Sequence, residues 1–267
     1  MRPAIRRPRG IPLRALVPNA VTALALCSGL TGIRFAVDGN WERALAFVII
    51  AAVLDGMDGR IARMLNGQSK FGAELDSLSD VIAFGVAPAI ILYLWALHDL
   101  PKFGWMFALA HAVCAALRLA RFNANIDVED QPHKSAGFLT GVPAPAGAGL
   151  TFLPIYLWIV TREDIFRDPL LIAPWTALIA FLMISNIATF SWTSLRLRRG
   201  VRLWALVVIA LVGGALLSEP WVTLAFAAIV YAALIPVSFL SYGKVKRLRA
   251  AAGLKPAATP PDETPAG

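Results

Sequence analysis

The sequence predicts an all-α protein, a polytopic membrane helix bundle of about eight transmembrane helices. Hydrophobic residues make up 58% of the 267 residues and charged residues 16%, whereas an average soluble domain carries about 25% charged residues. The apolar runs recur from Leu16 to Tyr242 without a long polar interval, so we expect one membrane domain. A helix satisfies its own backbone hydrogen bonds in lipid, which favours a bundle of helices.

Eight apolar segments each have close to the ~20 residues that a helix needs to cross a bilayer. They are 16–37, 42–65, 71–97, 103–122, 141–160, 170–191, 201–218 and 220–241. The membrane domain is therefore expected over residues 16–242. A basic segment, 1–15, precedes it, and a tail, 243–267, follows it. The tail is basic at first and then polar and Pro-rich, a composition typical of disorder.

The basic residues predict the orientation of these segments. Eight crossings place all but five of the 25 Lys and Arg residues on one side, and the positive-inside rule makes that side the cytoplasm. We therefore expect a multi-pass protein of the cell (inner) membrane with both termini cytoplasmic. The five basic residues on the other side are Arg34, Arg43, Lys102, Arg162 and Arg167.

The net charge of +8 does not indicate nucleic-acid binding, because the basic residues form no single face.

The second segment ends in DGMDGRIARML, so a helix that crosses the bilayer must include acids. Five of its residues fall at i, i+3, i+4, i+7 and i+8, which is one stripe of an α-helix. These are Asp55, Asp58, Gly59, Ala62 and Arg63. Two carboxylates, two small residues and an arginine are therefore predicted to share a face.

The third segment opens with a second stripe, formed by Gly72, Asp76 and Asp80. Two helices joined by a short turn could aim four carboxylates at one point, and oxygen ligands of this kind suit Mg²⁺ or Mn²⁺. Such a cation suits a phosphate-bearing substrate. The alternatives are acids of a solvated loop, a helix cap, or an ion pair between Asp55 and Arg63. Ionisable residues in membrane spans are costly and usually functional, which favours the metal site.

The combined pattern, D-x2-D-G-x2-A-R-x8-G-x3-D-x3-D over residues 55–80, resembles the complete signature of the CDP-alcohol phosphotransferase family. The resemblance implies a cytoplasmic active site and a homodimer. It implies that Asp80 acts as the catalytic base and may also contact the metal. The metal ligands that it implies are Asp55, Asp58, Asp76 and Asp80.

The same resemblance implies a binding site for CDP-diacylglycerol. Gly59 and Arg63 help to hold the CDP moiety, and the N-terminal PNAVT motif and Ser69 resemble further contacts on the nucleotide side. The residues expected to bind CDP-diacylglycerol are Asn19, Thr22, Gly59, Ala62, Arg63, Ser69 and Gly72.

Three other stretches resemble members of the family that use L-serine as the acceptor: ALRLARFNA, GFLTGVPAPAGAG and LMISNIATFS. The first contains Arg118, Arg121 and Asn123. Arg118 and Arg121 lie at i and i+3, which suits bidentate binding of a carboxylate, and serine has a carboxylate whereas choline and glycerol do not. The alternative is that both arginines anchor the helix in the membrane interface.

Three functions are compatible with these features. The first is transfer of a phosphatidyl group from CDP-diacylglycerol to L-serine, and the second is the same reaction with choline, inositol phosphate or glycerol phosphate as acceptor. The third is non-enzymatic transport of a divalent metal. The clustering of the acids at one end of the bundle disfavours transport, because no other predicted span carries a comparable acid near its middle.

Overall fold

The computed structural model of the chain describes residues 13–124, 138–185, 188–190 and 202–251. Those residues form a bundle of α-helices with one short β-ribbon. The helices are α1 (Leu13–Val37), α2 (Trp41–Met64), α3 (Lys70–Asp80), α4 (Ala87–Trp95), α5 (Gly104–Ala124), α6 (Ala144–Thr151), α7 (Leu153–Thr161), α8 (Pro169–Ile184), α9 (Arg202–Ser218) and α10 (Pro220–Ala251). The strands are β1 (Phe138–Thr140) and β2 (Ala188–Phe190).

The described helices fall into eight segments close to those predicted from hydropathy, because α3 continues into α4 and α6 into α7. Five of the segments are long and apolar enough to cross a bilayer. These five are Leu16–Val37, Lys70–Trp95, Gly104–Ala124, Ala144–Thr161 and Pro220–Ser238. Of the others, α8 and the apolar part of α9 are shorter, and α2 ends in its charged stretch. The predicted fold class, an all-α polytopic membrane protein, is confirmed.

The sixth segment ends earlier than predicted, and the β-ribbon was not predicted. α8 stops at Ile184, Ser185 has extended backbone angles, and β2 pairs antiparallel with β1. Gly141, which follows β1, has a φ of +71° and lies so close to α8 that a Cβ there would meet the Met183 carbonyl oxygen at 2.7 Å. Only glycine combines this conformation with this approach, so Gly141 allows the ribbon to lie against the end of α8.

The third segment is continuous but changes its winding directly after Asp80. Residues Val81–Val86 form a π-helical stretch, and Pro88, which has no N–H, cannot bond the Phe84 carbonyl in the α-helical manner. The fully buried ring of His111 on α5 faces that carbonyl and also contacts the Thr151 hydroxyl at 3.4 Å. His111 therefore places a buried polar side chain beside the irregular backbone of the third segment.

A proline also explains why the fifth segment is divided at Phe152 into α6 and α7. Pro154 has no N–H to donate to the carbonyl of Leu150 four residues earlier. The indole Nε1 of Trp175 on α8 donates to that carbonyl instead, at 2.9 Å. The break in the helix is thus coupled to the packing of α8.

Glycines allow α1 to approach its neighbours closely. A Cβ at Gly29 would lie 2.9 Å from the Cα of Ala83, and one at Gly32 would lie 2.9 Å from the Ala44 carbonyl oxygen. Small residues at helix crossings are the usual means of close packing in membrane bundles. α1 is therefore held directly against α2 and the π-helical stretch, beside the two acid-bearing helices.

The last helix is longer than predicted, since α10 continues past residue 241 to Ala251. The beginning of the predicted tail is therefore helical. Residues 1–12 and 252–267, and with them most of the predicted terminal segments, lie outside the described residues.

Candidate active site and metal centre

The acidic side chains of α2 and α3 converge. Asp55 and Asp58 lie in the C-terminal half of α2, and Asp76 and Asp80 lie one turn apart on α3. Carboxylate oxygens of Asp55, Asp76 and Asp80 all lie within 4.8 Å of one another. Asp58 is adjacent, with its side chain within hydrogen-bonding reach of Asp76. The structure thus brings the four predicted ligands together, three of them as one compact group.

The donor set of this cluster fits a divalent cation. Among the described residues, Oδ1 of Asp76 and Oδ1 of Asp80 are buried without a hydrogen-bond partner. The side chains of Asp55 and Asp80 lie within hydrogen-bonding reach of each other, and two carboxylates need a shared proton or a cation to remain so close. A cluster with only oxygen donors suits a hard ion such as Mg²⁺ or Mn²⁺.

A tight turn, Leu65–Ser69, joins α2 to α3 and fixes the relation of their acids. Asn66 has a left-handed φ of 51°, and the N–H of Gly67 donates to the Ala62 carbonyl at 2.9 Å. Ser69 then caps α3, since its Oγ accepts from the Gly72 N–H at 3.0 Å. An N-cap serine satisfies a backbone donor that the helix leaves unpaired. The predicted site residue Ser69 therefore also defines where α3 begins.

α1 contacts both acid-bearing helices. The buried hydroxyl of Thr22 donates to Oδ2 of Asp58 at 2.6 Å, and the Ser79 hydroxyl on α3 donates to the Thr22 carbonyl at 3.4 Å. One turn earlier, Oδ1 of Asn19 lies 2.6 Å from the position that a Cβ on Gly72 would occupy. A side chain at residue 72 would displace the Asn19 amide, so the glycine leaves room for Asn19 between α1 and α3.

A cavity of about 280 Å³ opens between α1, α2 and α3, next to the acid cluster. Its lining contains all seven residues predicted to bind CDP-diacylglycerol, together with two of the acids, Asp58 and Asp76. The full lining is Pro18, Asn19, Thr22, Asp58, Gly59, Ala62, Arg63, Gly67, Gln68, Ser69, Gly72, Ala73 and Asp76. The stripes predicted on two separate helices therefore face a single space.

The three residues predicted to bind the acceptor have different surroundings. Arg118 lies within electrostatic reach of Asp80 and Tyr231, and its Nε is buried without a hydrogen-bond partner among the described residues. Arg121 donates to the carbonyl of Ile184, the last residue of α8, at 3.2 Å. Asn123 donates to the Ser77 hydroxyl on α3 at 2.8 Å. Asn186, from another stretch that suggested a serine acceptor, lies outside the described residues.

Sequence reasoning did not single out Gly67, Gln68 or Ala73 in the cavity lining, or Ser77, the partner of Asn123. The first two belong to the eight-residue gap of the signature, where the spacing but not the residue type is fixed. Their position in the short turn between two functional stripes is the signal that could have identified them.

Comparisons with known proteins agree with this geometry. Residues 15–184 match the family model described as CDP-alcohol phosphatidyltransferase, and residues 201–236 match a second one, CDP-alcohol phosphatidyltransferase 2. The CDP-diacylglycerol–serine O-phosphatidyltransferase of Mycobacterium bovis is 37% identical over 233 residues, which cover 87% of this chain and 81% of the relative.

Two relatives with the same description come from other bacteria. The Bacillus subtilis protein is 34% identical over 172 residues, which cover 64% of this chain and 88% of the relative. The Helicobacter pylori (strain 26695) protein is 37% identical over 172 residues, with coverage of 64% and 70%. The signature, the converging acids and the match over residues 15–184 establish that this chain belongs to the CDP-alcohol phosphatidyltransferase family.

Proposed function

We propose that the chain is a CDP-diacylglycerol–serine O-phosphatidyltransferase. It transfers the phosphatidyl group of CDP-diacylglycerol to the hydroxyl of L-serine and releases phosphatidylserine and CMP. The observation that carries this proposal is the position of the acid cluster. It lies beside the cavity that is lined by all seven residues predicted to bind CDP-diacylglycerol. The relatives that match most of the chain are described as serine enzymes, which supports the acceptor.

A lipid-product assay tests the function directly. Purified protein is incubated with CDP-diacylglycerol, Mg²⁺ or Mn²⁺ and labelled L-serine, choline, inositol phosphate or glycerol phosphate in parallel. Phosphatidylserine formation with serine alone is expected. A product with another acceptor alone would keep the chemistry and overturn the acceptor, and metal flux into liposomes without any lipid product would favour the transporter.

The carboxylates of Asp55, Asp58, Asp76 and Asp80 would hold the divalent metal, which we propose to be Mg²⁺ or Mn²⁺. When bound, the ion offsets the negative charge of the pyrophosphate, as metals do in related phosphoryl transfers. The cavity beside the acids holds the CDP moiety, where the Arg63 guanidinium can pair with phosphate oxygens.

Asp80 is the general base for the acceptor. Its carboxyl lies within hydrogen-bonding reach of Asp55, and its Oδ1 has no hydrogen-bond partner among the described residues. A carboxylate oxygen of Asp80 accepts the serine hydroxyl proton. As that proton moves to Asp80, the serine oxygen attacks the phosphorus that bears diacylglycerol. The bond from this phosphorus to the bridging pyrophosphate oxygen breaks, and CMP leaves with the electron pair.

Gly59 provides a test of the cavity that does not disturb the protein's own packing. A Cβ added at Gly59 would meet nothing within 4 Å apart from its chain neighbours and the backbone of its own helix, yet Gly59 lines the cavity. We expect Gly59→Ala to fold normally and to raise the KM for CDP-diacylglycerol, because the methyl group occupies space that the substrate needs. The KM for serine should change little.

Gly56→Ala is the matched control for Gly59→Ala. Gly56 lies on the same helix, is exposed, and would also place a Cβ in open space, but it does not line the cavity. Equal effects of the two substitutions on the KM for CDP-diacylglycerol would show that helix propensity rather than substrate contact is responsible.

We propose that Arg118 binds the carboxylate of serine. It lies within electrostatic reach of the base Asp80, and its buried Nε has no hydrogen-bond acceptor among the described residues. Arg121 and Asn123 support this position from either side, because they connect the end of α5 to α8 and α3.

Arg118→Ala should therefore raise the KM for serine about ten- to a hundredfold, because a hydrogen bond to a charged group contributes roughly 1.5–3 kcal/mol. Binding of CDP-diacylglycerol should be nearly unchanged. Steady-state kinetics with varied serine checks this, with Arg121→Ala as the comparison, since Arg121 contacts the Ile184 carbonyl. The opposite order of effects would move the carboxylate site to Arg121.

The protein is a multi-pass membrane protein, and we propose that it lies in the cell (inner) membrane with the active site and both termini in the cytoplasm. We also propose the division into a basic segment 1–15, a membrane domain 16–242 and a tail 243–267. The distribution of basic residues supports the orientation.

This topology predicts that cysteines introduced singly at Arg198 and Asp164, in a background without Cys27 and Cys114, react from opposite sides of the membrane. The residue-198 position should be protected from an impermeant thiol reagent added outside intact cells, and the residue-164 position should be labelled. Labelling of both from the same side would contradict the eight-span topology.

We further propose a homodimer, which rests on the family resemblance. The protein mass in its detergent complex, determined by light scattering, should be twice the 28.7 kDa of one chain. A monomeric mass that persists in lipid nanodiscs would contradict it.

A further inference from the structure

Thr22 occupies the point where α1 meets both acid-bearing helices. Thr22 is 4% exposed and Asp58 is 5% exposed, and their hydrogen bond of 2.6 Å is shorter than a typical hydroxyl bond. The resemblance implies a substrate contact for Thr22, yet its hydroxyl hydrogen is directed to a carboxylate of the protein itself.

We propose that Thr22 is a positioning residue for the metal centre, which orients the carboxylate of Asp58. This inference rests on the metal-dependent function proposed above. An ionised carboxylate accepts hydrogen bonds and donates none, so the hydroxyl of Thr22 holds Oδ2 in place while the Asp58 side chain remains within reach of Asp76. Partners of this kind orient metal ligands and tune metal affinity.

The hydroxyl of Thr22 has a second possible acceptor, the Pro18 carbonyl at 3.1 Å. A hydroxyl carries one hydrogen, and a bond to an ionised carboxylate is shorter and stronger than one to a neutral carbonyl. The hydrogen therefore points to Asp58, because Oδ2 of Asp58 lies 2.6 Å from the Thr22 hydroxyl and the Pro18 carbonyl oxygen lies 3.1 Å from it.

The backbone of Thr22 also binds α3, the second acid-bearing helix. Its carbonyl accepts from the hydroxyl of Ser79, which is 3% exposed and lies directly before Asp80. Through Thr22, α1 thus contacts a proposed ligand on α2 and the neighbour of a proposed ligand on α3. The branched side chain of threonine has few rotamers in a helix, so the hydroxyl is held in place with little entropic cost.

The test measures metal binding to the substrate-free protein. Thr22→Val keeps the shape and removes the hydroxyl, and we expect it to raise the Mn²⁺ or Mg²⁺ concentration needed for half-maximal thermal stabilisation by tenfold or more, the usual effect of losing such a partner. Thr22→Ser, which retains a hydroxyl, should restore most of the wild-type metal dependence. Because no lipid substrate is present, this result does not depend on which acceptor the enzyme uses.

Ser28→Ala is the matched control. Ser28 is another buried hydroxyl on α1 that donates to α2, but to the Phe47 backbone carbonyl at 2.8 Å and away from the acids. It should leave the metal dependence unchanged. An unchanged metal dependence in Thr22→Val, with a raised KM for CDP-diacylglycerol at saturating metal, would overturn the proposal in favour of direct substrate contact.

A double-substitution cycle keeps the proposal testable if Thr22→Val is poorly folded. Thr22→Ala is then combined with Asp58→Asn, and metal-induced stabilisation is measured for both single variants and the double variant. If Thr22 acts through Asp58, the second substitution should add little to the first. Fully additive losses would show that the two residues act independently and would reject the positioning role.

Discussion

Asp80→Asn should lower kcat for phosphatidyl transfer about 10²- to 10⁴-fold, the range that a positioned general base contributes. The amide keeps the shape of the side chain but cannot take the serine proton, and a serine hydroxyl alone is a weak nucleophile. Metal-dependent binding of CDP-diacylglycerol should largely survive, because Asp55, Asp58 and Asp76 remain. Single-turnover kinetics together with binding of CDP-diacylglycerol separate these two effects.

Glu74→Gln is the matched control for Asp80→Asn, because Glu74 is an exposed acid on the same helix and is absent from both the acid cluster and the cavity lining. It should retain the wild-type kcat. Turnover by Asp80→Asn near the wild-type rate would contradict the role of Asp80 as the base and leave it a metal ligand or a structural acid.

The acid cluster could be predicted from the sequence because its geometry is local. Asp55 and Asp58 share a face by helical periodicity, as do Asp76 and Asp80, and the short turn leaves the two helices few relative positions. Spacing and residue type therefore determine most of the site. The apolar segments could also be predicted from the sequence, because the bilayer thickness sets the length of a membrane helix.

Contacts between helices distant in sequence could not be predicted in the same way. Periodicity placed Arg118 and Arg121 on one face, but it could not show that Arg121 contacts the last carbonyl of α8 while Arg118 lies near Asp80. The end of α8 at Ile184 packs against Gly141, which lies more than 40 residues earlier in the chain. Such features arise from packing, for which a single sequence holds no local signal.

Asp76→Asn should have two opposite effects, one on the metal-free protein and one on the metal-bound protein. Without metal, the four acids repel each other and are partly removed from water, which destabilises the fold. Replacing one of them by a neutral amide of the same shape should raise the metal-free Tm. With metal, the same change removes one of the three acids, Asp55, Asp58 and Asp76, that we propose to hold the ion, whereas Asp80 serves mainly as the base. The metal-dependent rise in Tm and phosphatidyl transfer should therefore both be lost.

The size of the lost shift follows from mass action, since a ligand at 100 times its Kd stabilises the folded state by about 2.7 kcal/mol. Thermal unfolding of the purified protein with and without Mn²⁺ measures both effects, and Asp38→Asn is the control, because Asp38 is an exposed acid in the turn between α1 and α2. A metal-free Tm that falls as far as the metal-bound Tm would indicate that Asp76 supports the fold through ordinary packing. A raised metal-free Tm without a metal response would show instead that Asp76 destabilises the metal-free fold and that ion binding needs the negative charge of a carboxylate at that position.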